Sequence, residues 1–295
     1  MIQRFSLAIF LIGSVPGFAA DLSPDTVAAW QQYLRIVDGR MQSRLDGVQP
    51  FLWVDEDPAR AQRVRRGEIV VSDLRRKVAT AVPHGQIHDW IGGAFIPGAS
   101  VAEVLAVVRD YDHYKEFFKP TVVDSRSIGQ AGPRQHFEML WLQKVLFVTA
   151  AIDAEYQSTY FPVDDKRWYS TSSSTRIQEI ENYGEADERK LPPGSGCGCL
   201  WKVHSIARFQ ERDGGVYVEI EAVGLSRDIP ASLRWMVAPV VSRVSRNGVI
   251  NSLRETRDAV CSMSQTSVKS QTAQPLAPVE PGGPEMMRQG FRRAQ

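Results

Sequence analysis

Apolar and polar positions follow two periods along this chain, and the change of period marks out its elements. Near the N-terminus, Trp30, Tyr33, Leu34, Val37, Met41 and Leu45 recur at helical spacing. Ser23-Pro24-Asp25 ahead of them supplies a capping hydroxyl, a proline for the first turn and an acid. The pattern predicts one amphipathic helix to about Asp46, packed on the main domain. Residues 47–66 mix Pro50, Pro58, acids and arginines and predict an irregular connection. Short strands are expected over Glu68–Val71 and Val78–Val82, then a turn at Pro83-His84-Gly85.

Ile87–Ile96 predicts a strand in which Gly92-Gly93 marks a bend or bulge. Ser100 and Glu103 form a capping-box pattern ahead of a helix that buries Val101, Val104, Leu105 and Val108. A second short helix over Asp110–Lys119 stops at Pro120. Strands follow over Val122–Ile128, Gln135–Leu142, Phe147–Tyr160, Trp168–Glu181, Leu200–Gln210 and Val216–Leu225. Glu185–Gly198 reads as a surface loop and Arg212-Asp213-Gly214-Gly215 as a hairpin turn.

Helical spacing returns in Leu233, Val237, Val240, Val244, Ile250, Leu253 and Val260, a long helix over Asp228–Val260. Pro230 suits its first turn, and Pro239 bends or restarts it. Residues 262–295 carry few apolar positions and no period, and predict disorder. This order of elements makes an α+β domain. The long helix has about 45 Å of apolar stripe to bury. The strands before it are the surface able to receive it, with a ligand cavity between the two.

Charge excludes one class of partner. Thirty-five Lys and Arg against 34 Asp and Glu leave a net charge of +1, which argues against nucleic acid as the main partner. Arg60, Arg63, Arg65 and Arg66 form one basic cluster and Arg75, Arg76 and Lys77 another, either solvated faces or points of peripheral membrane contact. At the start, Arg4 precedes the apolar stretch Phe5–Val15 and the small residues up to Ala20, the three-part pattern of a signal peptide cleaved after Ala19. The domain layout is then 1–19 signal peptide, 20–82 N-terminal helix and connection, 83–261 ligand-binding domain and 262–295 tail. A periplasmic or secreted monomer is expected.

The chemistry-bearing residues are few. Cys197, Cys199 and Cys261 are an odd set; a bridge from either of the first two to Cys261 stays open. No ligand spacing points to a metal, and no cofactor is expected. The chain has no G-x-S-x-G, no H-E-x-x-H and no phosphate loop after a strand. Asp110, Asp112 and His113 lie close together and read as solvated charges, so no catalytic residue is assigned.

The wording of several segments carries a resemblance. Ile87-His88-Asp89-Trp90, Ala94–Ala99, Val107–Tyr114, Ser174–Ile177, Leu200-Trp201 and Leu225–Pro230 resemble a bacterial branch of the START-related (SRPBCC) superfamily. The resemblance covers about residues 84–261. It implies a START-like, helix-grip fold: a curved antiparallel sheet wrapped around the C-terminal helix, with a cavity between them and an N-terminal helical extension outside. Members bind lipids, sterols, aromatic metabolites or quinones, and a few are enzymes. The function so implied is binding of a hydrophobic small molecule or lipid. A cyclase or aromatase on the same scaffold and an envelope interaction module without ligand stay open beside it.

Alternation along the strands assigns the cavity face. Val218, Ile220 and Ala222 share one face of the last strand. Trp201, Val203, Ser205, Ala207 and Phe209 share one face of the strand before it, and Ile152, Ala154, Tyr156 and Tyr160 one face of the long strand. Tyr169, Thr171, Ser173 and Thr175 are placed inside as polar fixings. Trp90 and His88 border the mouth, and Leu233, Met236, Val237, Val240, Val241 and Val244 form the lid. Charged faces, with Glu219 and Glu221, are expected to meet water. In the alternative, Glu219, Glu221, Arg176 and Arg227 line a polar cavity.

Overall fold

The computed structural model describes residues 22–75, 82–145, 148–196, 198, 200–229, 232 and 234–272. Helix α1 spans Pro24–Leu45; the Ser23 side chain accepts from the Thr26 N–H, as the sequence pattern requires. The segment after it is more regular than expected. A 3-10 turn covers Trp53–Glu56 and a helix, α2, covers Pro58–Arg65, with Asp57 as its cap and Pro58 in its first turn. Pro58 thus starts structure here instead of breaking it.

The strands are β1 Val70–Asp73, β2 Gly85–Pro97, β3 Val122–Ala131, β4 Arg134–Val145, β5 Val148–Pro162, β6 Arg167–Glu181, β7 Arg189–Lys190, β8 Lys202–Arg212 and β9 Gly215–Arg227. They form one antiparallel sheet in the order β1-β2-β9-β8-β6-β5-β4-β3, with β7 added beside β6. The β8–β9 turn holds Asp213 and Gly214 at φ 58° and 76°, the left-handed pair that a two-residue hairpin needs. Helix α3, Val101–Val108, carries the complete Ser100–Glu103 capping box. A 3-10 turn at Tyr111–His113 leads into α4, Tyr114–Phe117.

Helix α5 spans Arg234–Thr272 and passes through Pro239 without a break. It runs beyond Val260 because no Gly or Pro interrupts Cys261–Thr272, so the tail expected to start at 262 is helical to Thr272. The expected strand at 78–82 falls almost wholly outside the described residues, as do residues 1–21, Cys197, Cys199 and the chain after 272. Cys261 is a free, half-buried thiol. Among the described residues no helix is long and apolar enough to cross a membrane.

Each face of the sheet has its own core. Toward α3 and α5, Ala94, Ile96, Phe209, Val216 and Val218 pack with Val104, Val107, Val249, Leu253 and Val260. Toward α1, Ile91, Phe95, Ile206, Tyr217, Val223 and Leu225 pack with Trp30, Tyr33, Val37, Met41 and Trp53. Gly92 and Gly93 serve these contacts. The β2 register runs through both without a bulge. A Cβ on Gly92 would stand 2.7–2.9 Å from Val71, Val249 and Leu253, and one on Gly93 would stand 2.7 Å from Val54. They let α5 and the 3-10 turn approach opposite faces of one strand.

Candidate functional site

The inner face, the one toward α3 and α5, is sorted by strand pairing, since residues opposite each other share a face. Val218 pairs with Phe209, and Phe209 with Trp168. Ile220 pairs with Ala207, Ala207 with Ser170, and Ser170 with Tyr160. Ala222 stands beside Trp90 on one side and Ser205 on the other; Ser205 continues to Ser172, Ser158 and Gln135. Beyond the Glu155/Tyr156 register shift come Phe137, Tyr156 and Ser174, then Met139, Ala154 and Ile177, then Trp141 and Ile152. Tyr111, Phe137, Ile152, Ala154, Tyr156 and Ile177 form an apolar cluster at this end, with Val203 against it. Tyr111 stacks on Phe137 at 4.0 Å, and Phe137 on Tyr156 at 5.2 Å.

The centre of this face is not sealed. Trp90, Ser172, Val203, Ser205, Ala207, Ile220 and Ala222 are all only half-buried. Along α5, Ala238 to Gly248 present no buried side chain, and Val240, Val241 and Val244 are half-buried. The helix is anchored further along, through Val249 and Leu253 at 3% and 1% exposure. The middle of the inner face and the first half of α5 therefore both keep exposed surface. At its head Trp235 is 78% exposed.

Trp90, Ile152, Tyr156, Val203, Phe209, Val218 and Ile220 lie on the inner face, Trp90 beside Ala222 instead of at the mouth, and Val240 and Val244 lie on the first half of α5. Leu233 lies outside the described residues, as do the side chains of Met236 and Val237. Four residues are on the opposite side. Tyr169 pairs with Arg208, Thr171 with Ile206 and Ser173 with His204, all on the outer face. A run of hydroxyl residues carries no polarity alternation to fix its phase, and the pairing with Phe209 and Ala207 turns 168, 170, 172 and 174 inward instead. Trp201 precedes β8 in a bend and turns into the outer core, its backbone N–H on the Leu225 carbonyl at 2.7 Å. Leu200 packs with the inner cluster in its place.

Polar groups on the inner side form a short chain. The Tyr160 hydroxyl donates to the Val108 carbonyl at 2.6 Å, and Tyr111 reaches Gln135 and Tyr160 at 3.1 and 3.3 Å. Ser158 donates to Ser172 at 2.8 Å. His88 meets Ser226 at 2.9 Å. Burial, helped by the charge of Arg75, pushes the His88 imidazole down to about 4, so it is neutral at neutral pH. Burial pushes the Tyr156 phenol up to about 12. Charged residues lie at the margins: Asp73 on edge strand β1, Glu179 near Leu191, and Glu211, which accepts from the Val101 N–H. Between them β5, β6, β8 and β9 turn no charged side chain inward.

The charged face does not meet water. Arg208, Glu219, Glu221 and Asp89 are 0–1% exposed beneath α1. Arg40 donates to Asp89 and Glu221 at 2.6 Å each, and Tyr33 donates to Asp89 at 2.8 Å. Glu219 accepts from the Trp53 and Val54 N–H groups and from Arg208. Helix α1 and the 3-10 turn thus bring the partners that allow these charges to be buried. The same contacts rule out a polar cavity lined by Glu219 and Glu221.

The other candidate groups are accounted for locally. His113 pairs with Asp110 at 2.7 Å on the exposed surface. Arg60, Arg63 and Arg65 pair with Glu56, Glu68 and Asp213. A cleft of about 230 Å³ beside Trp53, Arg60 and Val70 is below the usual range for small-molecule sites. Among the described residues no cluster of three His, Cys, Asp or Glu side chains could hold a metal.

A curved antiparallel sheet closing on one face over a long C-terminal helix settles the architecture. The fold is START-like. Solved structures of similar shape include human STARD10, at 10% identity and TM-score 0.44, covering 69% of this chain and 74% of that one. A STAR-related lipid transfer protein from Xanthomonas axonopodis matches at 16% identity and TM-score 0.37, over 62% and 98%. The Zhui aromatase/cyclase from Streptomyces sp. R1128 matches at 12% and 0.39, over 59% and 94%. No family model and no curated protein matches the sequence. Helix α1 packs on the face of the sheet opposite α3 and α5.

Proposed function

We propose that this protein binds a hydrophobic small molecule or lipid between the inner face of the sheet and the first half of α5. One observation carries the reading. The middle of the inner face is half-buried and mostly apolar, and the first half of α5 buries none of its described side chains. A large apolar surface left open in this way is ordinarily covered by something, and its few neutral hydroxyls match the make-up of a small-ligand site. Among the described residues no acid or base stands poised at the centre of this face, which favours binding over catalysis. The N-terminal pattern of residues 1–20 supports export, so the carrier would work as a periplasmic or secreted monomer.

The test is direct. N-phenyl-1-naphthylamine, an uncharged apolar reporter, should brighten on addition to the purified protein. Ala222→Trp, which fills the centre of the inner face, should abolish the signal and leave the circular dichroism spectrum unchanged. No brightening with wild-type protein, or equal brightening with the variant, would end this reading.

A further inference from the structure

The solvent side of α5 is a surface of its own kind. From Ile229 to Arg254 the chain carries Arg234, Arg243, Arg246 and Arg254 and no acid; Asp228 and Glu255 bound the run. In a chain with 35 basic and 34 acidic residues this is a local excess of positive charge. Trp235, Pro239, Ser242 and Arg246 stand at i, i+4, i+7 and i+11 on the helix, which makes one stripe, with Arg243 beside it. Each of these residues is exposed, Trp235 at 78%. From Trp235 to Arg246 the stripe is about 17 Å long.

The two exposed arginines are not used inside the protein. Among the described residues neither Arg243 nor Arg246 forms an ion pair. The basic cluster on α2 differs, since Arg60, Arg63 and Arg65 are matched by Glu56, Glu68 and Asp213. A tryptophan ring held in water beside unmatched guanidiniums suits a partner with an apolar layer beneath an anionic one. A bilayer with anionic headgroups has that structure, and a helix with such a face lies along it. Among the described residues no helix is long and apolar enough to cross a membrane, so the contact is one with its surface. Nucleic acid offers phosphates without an apolar layer, and two guanidiniums are few for it. We propose that the stripe from Trp235 to Arg246 sets the protein on an anionic lipid bilayer, with Arg243 and Arg246 on lipid phosphates and Trp235 at the headgroup boundary. This docking does not depend on the ligand-binding reading, and either can fail alone.

Sedimentation with sucrose-loaded vesicles tests it, at physiological ionic strength. One set is phosphatidylcholine alone, the other phosphatidylcholine and phosphatidylglycerol in equal parts. Wild-type protein should bind the mixed vesicles at least about tenfold more tightly than the neutral ones and come off as salt is raised. Arg243→Gln/Arg246→Gln should weaken binding to the mixed vesicles about 30-fold, and Trp235→Ala about tenfold. All three side chains are exposed, so circular dichroism should match wild type. Arg63→Gln/Arg65→Gln takes the same two charges from α2 and should change binding by less than about twofold. Equal binding to the two vesicle sets, no binding to either, unchanged affinity in either α5 variant, or an equal loss in the α2 variant would overturn the proposal.

Discussion

Replacing Asp89 with Asn tests the buried charge network under α1 through its pH dependence. Asp89 is 0% exposed. Burial first, and then the charge of Glu221, push its carboxyl from 3.8 up to about 6; Arg40 and the Tyr33 hydroxyl pull it back by less. Between about pH 4 and 6 the folded protein therefore holds a proton that the unfolded chain has released. The stabilisation is fully present below about pH 4 and is lost as pH rises through 6. A rise of this size corresponds to about 3 kcal/mol. Asn cannot titrate. It can still accept from Tyr33 and Arg40 through one oxygen, since both bonds fall on Oδ2, and its amide then occupies the place of Oδ1, which has no partner.

Urea unfolding of both proteins between pH 4 and 7.5 gives the stability difference, wild type minus variant. It should fall by about 3 kcal/mol as pH rises and then level off. His88 runs the other way: its imidazole is pushed down to about 4, so its contribution is lost as pH falls from about 6.5 through 4. Wild-type stability alone mixes the two, and only the difference isolates Asp89. A difference that stays flat, or that grows with pH, would refute the placement of a buried carboxylate beside Glu221.

Three further substitutions probe separate parts of the account. Gly92→Ala should lower stability by about 1–3 kcal/mol, read as a drop in Tm, because its Cβ meets Val71, Val249 and Leu253 within 2.9 Å. Arg208→Ala leaves Glu219 without its 3.0 Å partner in a site with no exposure, and should cost about 3–5 kcal/mol in chemical unfolding. Ser100→Ala removes the α3 cap and should cost about 1 kcal/mol in the same assay.

Local signals placed most elements, and tertiary partners decided the rest. The Ser23 and Ser100 caps and the Asp213-Gly214 turn are set by side chains a few residues away, so sequence spacing located them. The inward phase of β8 and β9 followed from Ala207, Phe209, Val218 and Ile220, whose alternation is unambiguous. Strand β6 offered only hydroxyls across Ser170–Thr175, and its phase is fixed by neighbours on β5 and β8 that no local pattern reveals. Ser158 was accessible to the same reasoning, since it shares the parity of Tyr156 and Tyr160. Ser170, Ser172 and the roles of Tyr111 and Gln135 were not. The burial of Glu219 and Glu221 could not be foreseen from their own strand, because the groups that neutralise them come from Arg40 and the 3-10 turn more than 160 residues earlier. Gly92-Gly93 looked like a bulge because a glycine pair in a strand has two physical uses, and only the packing on both faces distinguishes them.

The central claim is that the space over Trp90, Ser172, Ser205, Ile220 and Ala222 holds a hydrophobic molecule. Native mass spectrometry of the protein purified from its own host tests it most directly. The account predicts a second species, heavier by the mass of one lipid-like molecule, that disappears in Ala222→Trp. A single apo mass from wild-type protein, together with no binding of N-phenyl-1-naphthylamine, would contradict it.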